Sequence, residues 1–208
     1  MDAFDRDFRS QLWDLMAWRR DVRRFRTDPV PEAVLMRCLD AFRLAPSVGL
    51  SEPWRIVRVQ SPQARAAALD NFKAANTAAL TGYDGEQAAL YSQLKLSGME
   101  DAPEHLAIFC DDLTAQGHGL GAATMPEMRR YSVVGAITLM WLAARAEGLG
   151  MGWVSILDPD RLCRDLDVPD GWVLVAYMCV GWPEEQSSTP ELERAGWERR
   201  HDIVIDTR

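Results

Sequence analysis

Residues 133–144 read VVGAITLMWLAA, an almost uninterrupted apolar run inside a longer segment, 127–147, of strong helical propensity. A helix that is apolar on every face must be covered by other protein all round. The run is too short to span a bilayer, so we expect no membrane helix. In a chain of 208 residues it therefore predicts a central helix that a second subunit helps to cover.

Length and charge limit the class of protein. At about 150 residues per domain the chain corresponds to about 1.4 domains, and without a repeat, a linker or a composition shift we expect one domain over residues 1–208. A net charge of -8 disfavours nucleic acid or an anionic membrane as partners. Residues 1–7 are charged where a signal peptide needs an apolar core, so we expect a cytoplasmic protein.

Helical and strand patterns alternate along the chain. The predicted helices lie at 11–18, 32–44, 61–80, 86–96 and 127–147, with a short one opening at Asp158-Pro159. The predicted strands lie at 54–59, 105–110, 153–156, 172–180 and 202–205. These strands are too few and too irregularly spaced for a regular βαβ array. We predict an α+β fold, with a mixed sheet flanked by helices.

Two common cofactor patterns are missing from the sequence. The four cysteines and three histidines are scattered without metal-ligand spacing, so we expect no metal site. The stretch Gly117–Ala122 superficially fits a dinucleotide-binding glycine motif. It begins several residues after the predicted strand and runs into Pro126 instead of opening a helix, so we expect no Rossmann site.

The most informative local feature is the basic octet Arg19–Arg26, RRDVRRFR, which carries a net charge of +4. Guanidinium groups present forked donors that match phosphate oxygens, so the octet is suited to hold a phosphorylated cofactor. The alternative is a solvated basic face that pairs with acidic neighbours. Charge alone favours this alternative, and both interpretations stay open.

A second feature is the loop Ala45–Trp54, APSVGLSEPW, between a predicted helix and a predicted strand. Its glycine and two prolines restrict the backbone, and Ser47 with nearby N–H groups is suited to contact a phosphate or a ring edge. Taken alone, the loop is an ordinary helix-to-strand connection.

Together these segments resemble the nitroreductase superfamily, which has a similar Arg-Arg-x-Val-Arg segment and a Pro-Ser loop that ends in Pro-Trp. The resemblance is closer to one branch of it, the 5,6-dimethylbenzimidazole synthases (BluB), and covers about residues 15 to 183. The further matching segments are Leu94–Leu96 with Gly98, Asp101–Pro103, Met125–Met128 with Tyr131-Ser132, and Trp141–Gly148 followed by Gly152–Ile156.

The resemblance implies a homodimeric α+β protein with flavin at the dimer interface. Members of this branch use reduced flavin mononucleotide (FMN) as a consumed substrate. With molecular oxygen they fragment it into 5,6-dimethylbenzimidazole, the lower ligand of vitamin B12 (cobalamin), and erythrose 4-phosphate. A separate reductase is then expected to supply the reduced FMN.

The resemblance also implies roles for individual residues. The residues expected to line the FMN site are Arg19, Arg20, Asp21, Val22 and Arg23, with Pro46 and Ser47 from the partner subunit and Leu96 near the ring. Asp21 and Ser155 match the positions that the family uses for chemistry. Asp21 stands where other nitroreductases usually have Ser or Thr, and a carboxylate can accept a proton unaided.

Each of these roles has a simpler alternative. The flanking arginines are expected to favour the ionised form of Asp21, and its alternative role is only to pair with them. The alternative for Ser155 is a small residue that fills a strand end. For the whole protein, the alternatives are an NAD(P)H-dependent, nitroreductase-like FMN oxidoreductase and a non-enzymatic dimeric flavin carrier.

Two regions are assigned less specifically. The helices between Ser61 and Ser97 are candidates for a lid that keeps water from the site. In the tail, Arg199 and Arg200 are both candidates for a phosphate contact, and their spacing does not choose between them.

Overall fold

The computed structural model of the chain describes residues 3–93 and 98–208. The helices in these ranges are α1 (Arg6–Trp18), α2 (Glu32–Asp40), α3 (Pro62–Leu80), α4 (Gly85–Gln93), α5 (Gly98–Asp101), α6 (Met128–Ala146), α7 (Pro159–Asp165) and α8 (Glu191–Arg194). The strands are β1 (Trp54–Arg58), β2 (Glu104–Asp111), β3 (Gly150–Val154) and β4 (Trp172–Gly181). Short 3₁₀ turns at Ala41–Leu44 and Val48–Leu50 lead from α2 towards β1.

The four strands form one sheet in the order β1-β2-β4-β3, and all neighbouring strands are antiparallel. In the central pair His105 lies opposite Cys179, and at the edge Trp153 lies opposite Met178. Within the described ranges the parallel component of the sheet is a single bridge between Asp21 and Met151. The α+β prediction is confirmed, and the sheet's mixed character rests on this bridge.

Each face of the sheet packs against its own helical layer. Along β2, Leu106 and Ile108 face a core that includes α2 and α6, whereas Ala107 and Phe109 face a core that includes α3 and α7. This alternation follows from the two-residue period of a strand. Because β2 and β4 are covered on both faces, they provide a rigid base for the edge strand β3.

The central helix α6 is covered only in part within one chain. Ile137 and Met140 are fully buried against the sheet, whereas Val134 and Thr138 on the opposite side are exposed. The prediction of a central helix is confirmed. Among the described residues, no helix has both the length and the apolar character needed to cross a bilayer.

Two predicted helix starts are confirmed by their caps. The Ser61 side chain accepts a hydrogen bond from the N–H of Ala64, and Pro62 occupies the first turn of α3. The Asp158 side chain accepts from the N–H of Arg161 at the start of α7. A side-chain acceptor at this position satisfies an N–H that has no partner within the helix.

Two predicted strands differ from the structure. β3 begins at Gly150 and ends at Val154, so Ser155 follows the strand instead of lying within it. The segment 202–205 is not a strand, and Ile203, Val204 and Ile205 are 84–93% exposed. An apolar, β-branched pattern forms a strand only where a neighbour offers hydrogen bonds, and the tail has none there. The tail also contains the short helix α8, which we did not predict.

The segment after α1 docks along β3 at very close range. The N–H of Val22 donates to the carbonyl of Met151 at 2.9 Å, and that of Arg26 donates to the carbonyl of Trp182 at 2.8 Å. A Cβ atom on Gly150 would lie 2.7 Å from the Val22 side chain, and one on Gly152 would overlap the Val22 carbonyl oxygen. Glycine at these two positions is therefore what allows the segment to lie beside the sheet.

We expect Gly152→Ala to lower the free energy of unfolding by about 3 kcal/mol, because the new methyl group must displace the Val22 backbone. Urea unfolding measures this loss. The matched control is Gly82→Ala, since a Cβ at Gly82 meets its nearest atom at 3.4 Å, an ordinary contact. Equal stability of the two variants would contradict the close docking.

Candidate functional site

Asp21 is held at the start of the docked segment by two hydrogen bonds. The backbone N–H of Trp153 donates to Asp21 Oδ1 at 2.8 Å. Arg23 Nε donates to Asp21 Oδ2 at 3.4 Å, which is a long and therefore weak contact. The carboxylate thus has one oxygen anchored to β3 and one oxygen more loosely engaged.

The electrostatics of Asp21 combine opposing effects. Burial raises the pKa of its carboxyl above the usual value, whereas the Trp153 N–H and Arg23 both lower it. The side chain is 42% exposed, and this surface faces a recess in the protein. Arg23 thus favours the ionised form, as expected from the sequence, and desolvation of the charge is the larger effect.

Asp21 faces an open cavity of about 210 Å³. Besides the docked segment and β3, the elements that contribute walls are α3 with Phe72, α4 with Tyr91, α5 with Met99, and β4 with Cys179. Most of these side chains are apolar, so the cavity is suited to a large planar ligand with a few polar edges.

Ser155 also lines this cavity, directly after the end of β3, and its side chain is exposed. Val22 lines the cavity from the docked segment. The structure thus brings Ser155, Asp21 and Val22 to the same cavity. Ser155 is exposed and lies beyond the strand end instead of within the strand.

A cluster of arginines lies beside this cavity. Arg19, Arg20, Arg23 and Arg200 line a second recess of about 180 Å³, which shares Asp21, Arg23 and Leu192 with the first. Burial lowers the pKa of the Arg19 and Arg20 guanidinium groups, and the nearby positive charge of Arg200 lowers both further. Like charges held close together in this way favour a bound anion.

The arginines of the basic octet divide into two groups. Arg26 pairs with Asp28 at 3.5 Å on an exposed face, and Arg24 pairs with Glu191 at 3.2 Å in a half-buried position. Arg19 and Arg20 instead lie in the recess. Arg20 is oriented by Ser188, whose carbonyl accepts from Arg20 Nε at 2.7 Å.

The structure also distinguishes the two tail arginines. Arg200 lines the recess and acts on the charges of Arg19 and Arg20, whereas Arg199 does neither among the described residues. Spacing could not separate them because the helix α8 and the turn after it set which side chain faces inward.

An aromatic cluster that we did not predict closes one side of the cavity. Trp197 of the tail lies 5.5 Å from Tyr83 and 6.4 Å from Tyr91, and the two tyrosine rings stack at 5.0 Å. Tyr91 Oη donates to Asn76 Oδ1 at 2.7 Å, which joins α4 to α3. A tryptophan in an otherwise polar tail was the available signal, because so large an apolar side chain is usually covered.

Three predicted site residues are not placed at this cavity. Pro46 and Ser47 do not line it within the same chain. Ser47 Oγ accepts from the N–H of Glu52 at 3.1 Å, in the loop that packs near the first turns of α6. Leu96 lies outside the described residues.

Of the described residues around the cavity, Asp21 is the best suited to exchange a proton. Burial raises the pKa of the Cys179 thiol to about 12, so it stays protonated at neutral pH. Burial also raises the pKa of the Tyr91 hydroxyl. A carboxylate is the best general base of the three, because its pKa starts far below those of a thiol and a phenol.

Comparisons with known proteins agree with this geometry. Residues 16–182 match the model of the nitroreductase family. The chain is 54% identical to the 5,6-dimethylbenzimidazole synthase of Rhodospirillum rubrum, over 97% of this chain and 96% of the relative. It is 50% identical to the 5,6-dimethylbenzimidazole synthase of Rhodobacter capsulatus, over 94% of each.

A solved structure extends the comparison to the fold. Oxidised iodotyrosine deiodinase bound to FMN and 3-iodo-L-tyrosine superimposes with a TM-score of 0.76 at 20% identity, over 95% of this chain and 98% of that one. At this identity the likeness concerns the fold.

We expect Trp197→Ala to release the tail from α4, since the aromatic contacts that hold it are lost. Trypsin should then cleave after Arg199 and Arg200 roughly tenfold faster, which mass spectrometry measures over time. Trp13→Ala is the control, because Trp13 on α1 is exposed and far along the chain from the tail. Cleavage rates that do not differ from wild type would refute the aromatic anchor.

Proposed function

Because the chain belongs to the nitroreductase family, and within it to the branch of the 5,6-dimethylbenzimidazole synthases, we propose that it fragments reduced FMN with molecular oxygen. The products are 5,6-dimethylbenzimidazole, the lower ligand of cobalamin, and erythrose 4-phosphate. A separate flavin reductase supplies the reduced FMN in this proposal.

The observation that carries the proposal is the position of Asp21. It lies at the junction of the apolar cavity and the arginine recess, and it lines both. A ligand with a planar ring in the cavity and a phosphate in the recess would pass its connecting chain across this carboxylate. FMN has this layout, with the ribityl chain between the ring and the phosphate.

The residues present fit FMN at both ends. Arg19, Arg20, Arg23 and Arg200 offer guanidinium donors for the phosphate. Phe72, Met99 and Val154 offer apolar surface for the ring. When bound in reduced form, the flavin supplies the electrons for oxygen and the atoms of the product ring.

Asp21 acts as the proton acceptor in this proposal. Its Oδ1 is anchored by the Trp153 N–H, so Oδ2, with its long contact to Arg23, is the oxygen free enough to take a proton. Burial raises the pKa of the carboxyl, which makes the carboxylate a stronger base than that of an ordinary aspartate. Ser155, with its hydroxyl at the same cavity, orients the reacting groups.

The aromatic cluster limits the access of water. Tyr91 and Trp197 form one wall of the cavity, and Trp197 ties the tail to α4. Exclusion of water favours cleavage of the flavin over its simple reoxidation. Water and free proton exchange at the site would let the flavin return to its oxidised form without being cleaved.

The partner subunit completes the site in this proposal. Val134 and Thr138 leave an exposed stripe on the central helix α6, which a second copy of the chain would cover. Pro46 and Ser47 lie in the loop that packs near this helix, which supports the proposal that they reach the flavin of the partner.

Purified protein, mixed with reduced FMN and oxygen, is expected to yield 5,6-dimethylbenzimidazole, which chromatography with mass detection measures. Asp21→Asn keeps an acceptor for the Trp153 N–H but loses the base, so product formation should fall roughly 100-fold or more while FMN still binds. The control is Asp28→Asn, an exposed acid of the same region.

Other outcomes of this assay identify the alternatives. Oxidised FMN as the only flavin product, with rapid NAD(P)H consumption in the presence of a nitroaromatic compound, would replace the proposal with an NAD(P)H-dependent oxidoreductase. Stoichiometric binding with neither turnover nor flavin breakdown would identify a flavin carrier.

Arg200→Ala is expected to weaken FMN binding roughly tenfold or more, because a charge-assisted hydrogen bond to the phosphate is lost. Binding of riboflavin, which has no phosphate, should not change. Flavin fluorescence titration measures both affinities, and Arg199→Ala is the neighbouring control. A larger effect from Arg199→Ala than from Arg200→Ala would reverse the assignment.

A further inference from the structure

Two stacked cation–aromatic pairs join the end of α1 to the central helix α6. The guanidinium carbon of Arg19 lies 4.7 Å from the centre of the Trp141 ring. That of Arg145 lies 3.3 Å from the centre of the Trp18 ring. Trp18 and Arg19 are consecutive, and Trp141 and Arg145 are one helical turn apart on the same side of α6. Each helix therefore contributes one ring and one cation, and we call these four residues the clasp.

We propose that Trp141 is a positioning residue for substrate binding: its ring orients the Arg19 guanidinium towards the FMN phosphate, and the Arg145–Trp18 pair holds the clasp in register. This inference rests on the proposed function. It assigns a role to three residues, Trp18, Trp141 and Arg145, that line neither the cavity nor the arginine recess.

Stacking is the one way to hold an arginine without using its hydrogen-bond donors. A guanidinium whose face lies on an aromatic ring keeps its N–H groups at its edge, where they can meet two phosphate oxygens. Arg20 shows the opposite case, because its Nε and Nη1 donate to the carbonyls of Ser188 and Arg19. Within the described ranges the Arg19 side chain has no hydrogen bond or ion pair, so its fork is available to an anion.

The indole N–H of Trp141 does not explain the position of this residue. It is 8% exposed, and its buried Nε1 has no acceptor among the described residues. Its ring also lies 6.3 Å from that of Trp153, the residue whose backbone N–H anchors Asp21. One side chain thus contacts both the arginine proposed to bind phosphate and the residue that holds the proposed base.

Arg145 supports the same interpretation from the other side of the clasp. It is 4% exposed and has no acidic partner in the described part of the chain. Its compensation is the Trp18 ring and one long hydrogen bond of 3.4 Å to the carbonyl of Leu149. Burial of a cation is energetically unfavourable. Here the buried Arg145 guanidinium fixes Trp18, the last residue of α1, immediately before Arg19.

The test is the affinity for oxidised FMN and for riboflavin, measured by flavin fluorescence titration of the whole protein. Trp141→Leu removes the ring under Arg19 and should weaken FMN binding roughly tenfold while riboflavin binding stays within about twofold. Trp141→Phe keeps an aromatic face and should recover most of the FMN affinity. The matched control is Trp182→Leu, which removes the ring 5.9 Å from Arg26 on the solvated part of the octet.

Three results would overturn the inference: equal loss of FMN and riboflavin affinity, unchanged FMN affinity in Trp141→Leu, or no recovery in Trp141→Phe. If the Trp141→Leu variant does not fold, the Trp18→Leu variant tests the same inference. Its affinity for FMN should fall by about threefold, and its affinity for riboflavin should not change. A wild-type protein that binds FMN without forming 5,6-dimethylbenzimidazole would reject the proposed function and leave the clasp standing. A wild-type protein that binds no FMN would reject both.

Discussion

The docking of residues 21–26 against β3 is the constraint on which the site depends. It requires glycine at 150 and 152, because any side chain there would strike Val22. It also brings the Asp21 carboxylate to the backbone N–H of Trp153, a hydrogen-bond donor that comes from β3 and not from the segment itself. One backbone contact therefore closes the edge of the sheet, forms a wall of the cavity and anchors the proposed base.

The charge of the site depends on a competition between burial and pairing. Around Asp21 burial is the larger effect and raises the pKa of the carboxyl, although an arginine lies next to it. Around Arg19 and Arg20, burial and the proximity of Arg200 both disfavour the positive charge. A bound phosphate would relieve the second effect without neutralising the carboxylate, so the two halves of the site suit the two ends of one ligand.

Rigid and adjustable parts meet at this site. The sheet is covered by a core on each face, α6 belongs to one of these cores, and together they fix the positions of Asp21 and Arg19. The opposite wall comes from α4 and the tail, which are held together by Tyr83, Tyr91 and Trp197. Such an arrangement lets a ligand enter between the rigid sheet and a wall, formed by α4 and the tail, that makes few contacts with the rest of the protein.

The sequence by itself determined the fold class, the central helix and the caps at Ser61 and Asp158, and it proposed Asp21 and Ser155 as site residues, because periodicity, capping and family motifs are local patterns. Only the tertiary structure decided which arginines face the recess, that burial outweighs the arginines at Asp21, and that Arg200 faces it instead of Arg199. It also showed that Ile203–Ile205 pairs with no strand in the described part of the chain. These outcomes depend on distances between segments that lie far apart in the chain, such as Asp21 and Trp153, and a local pattern carries no information about such distances.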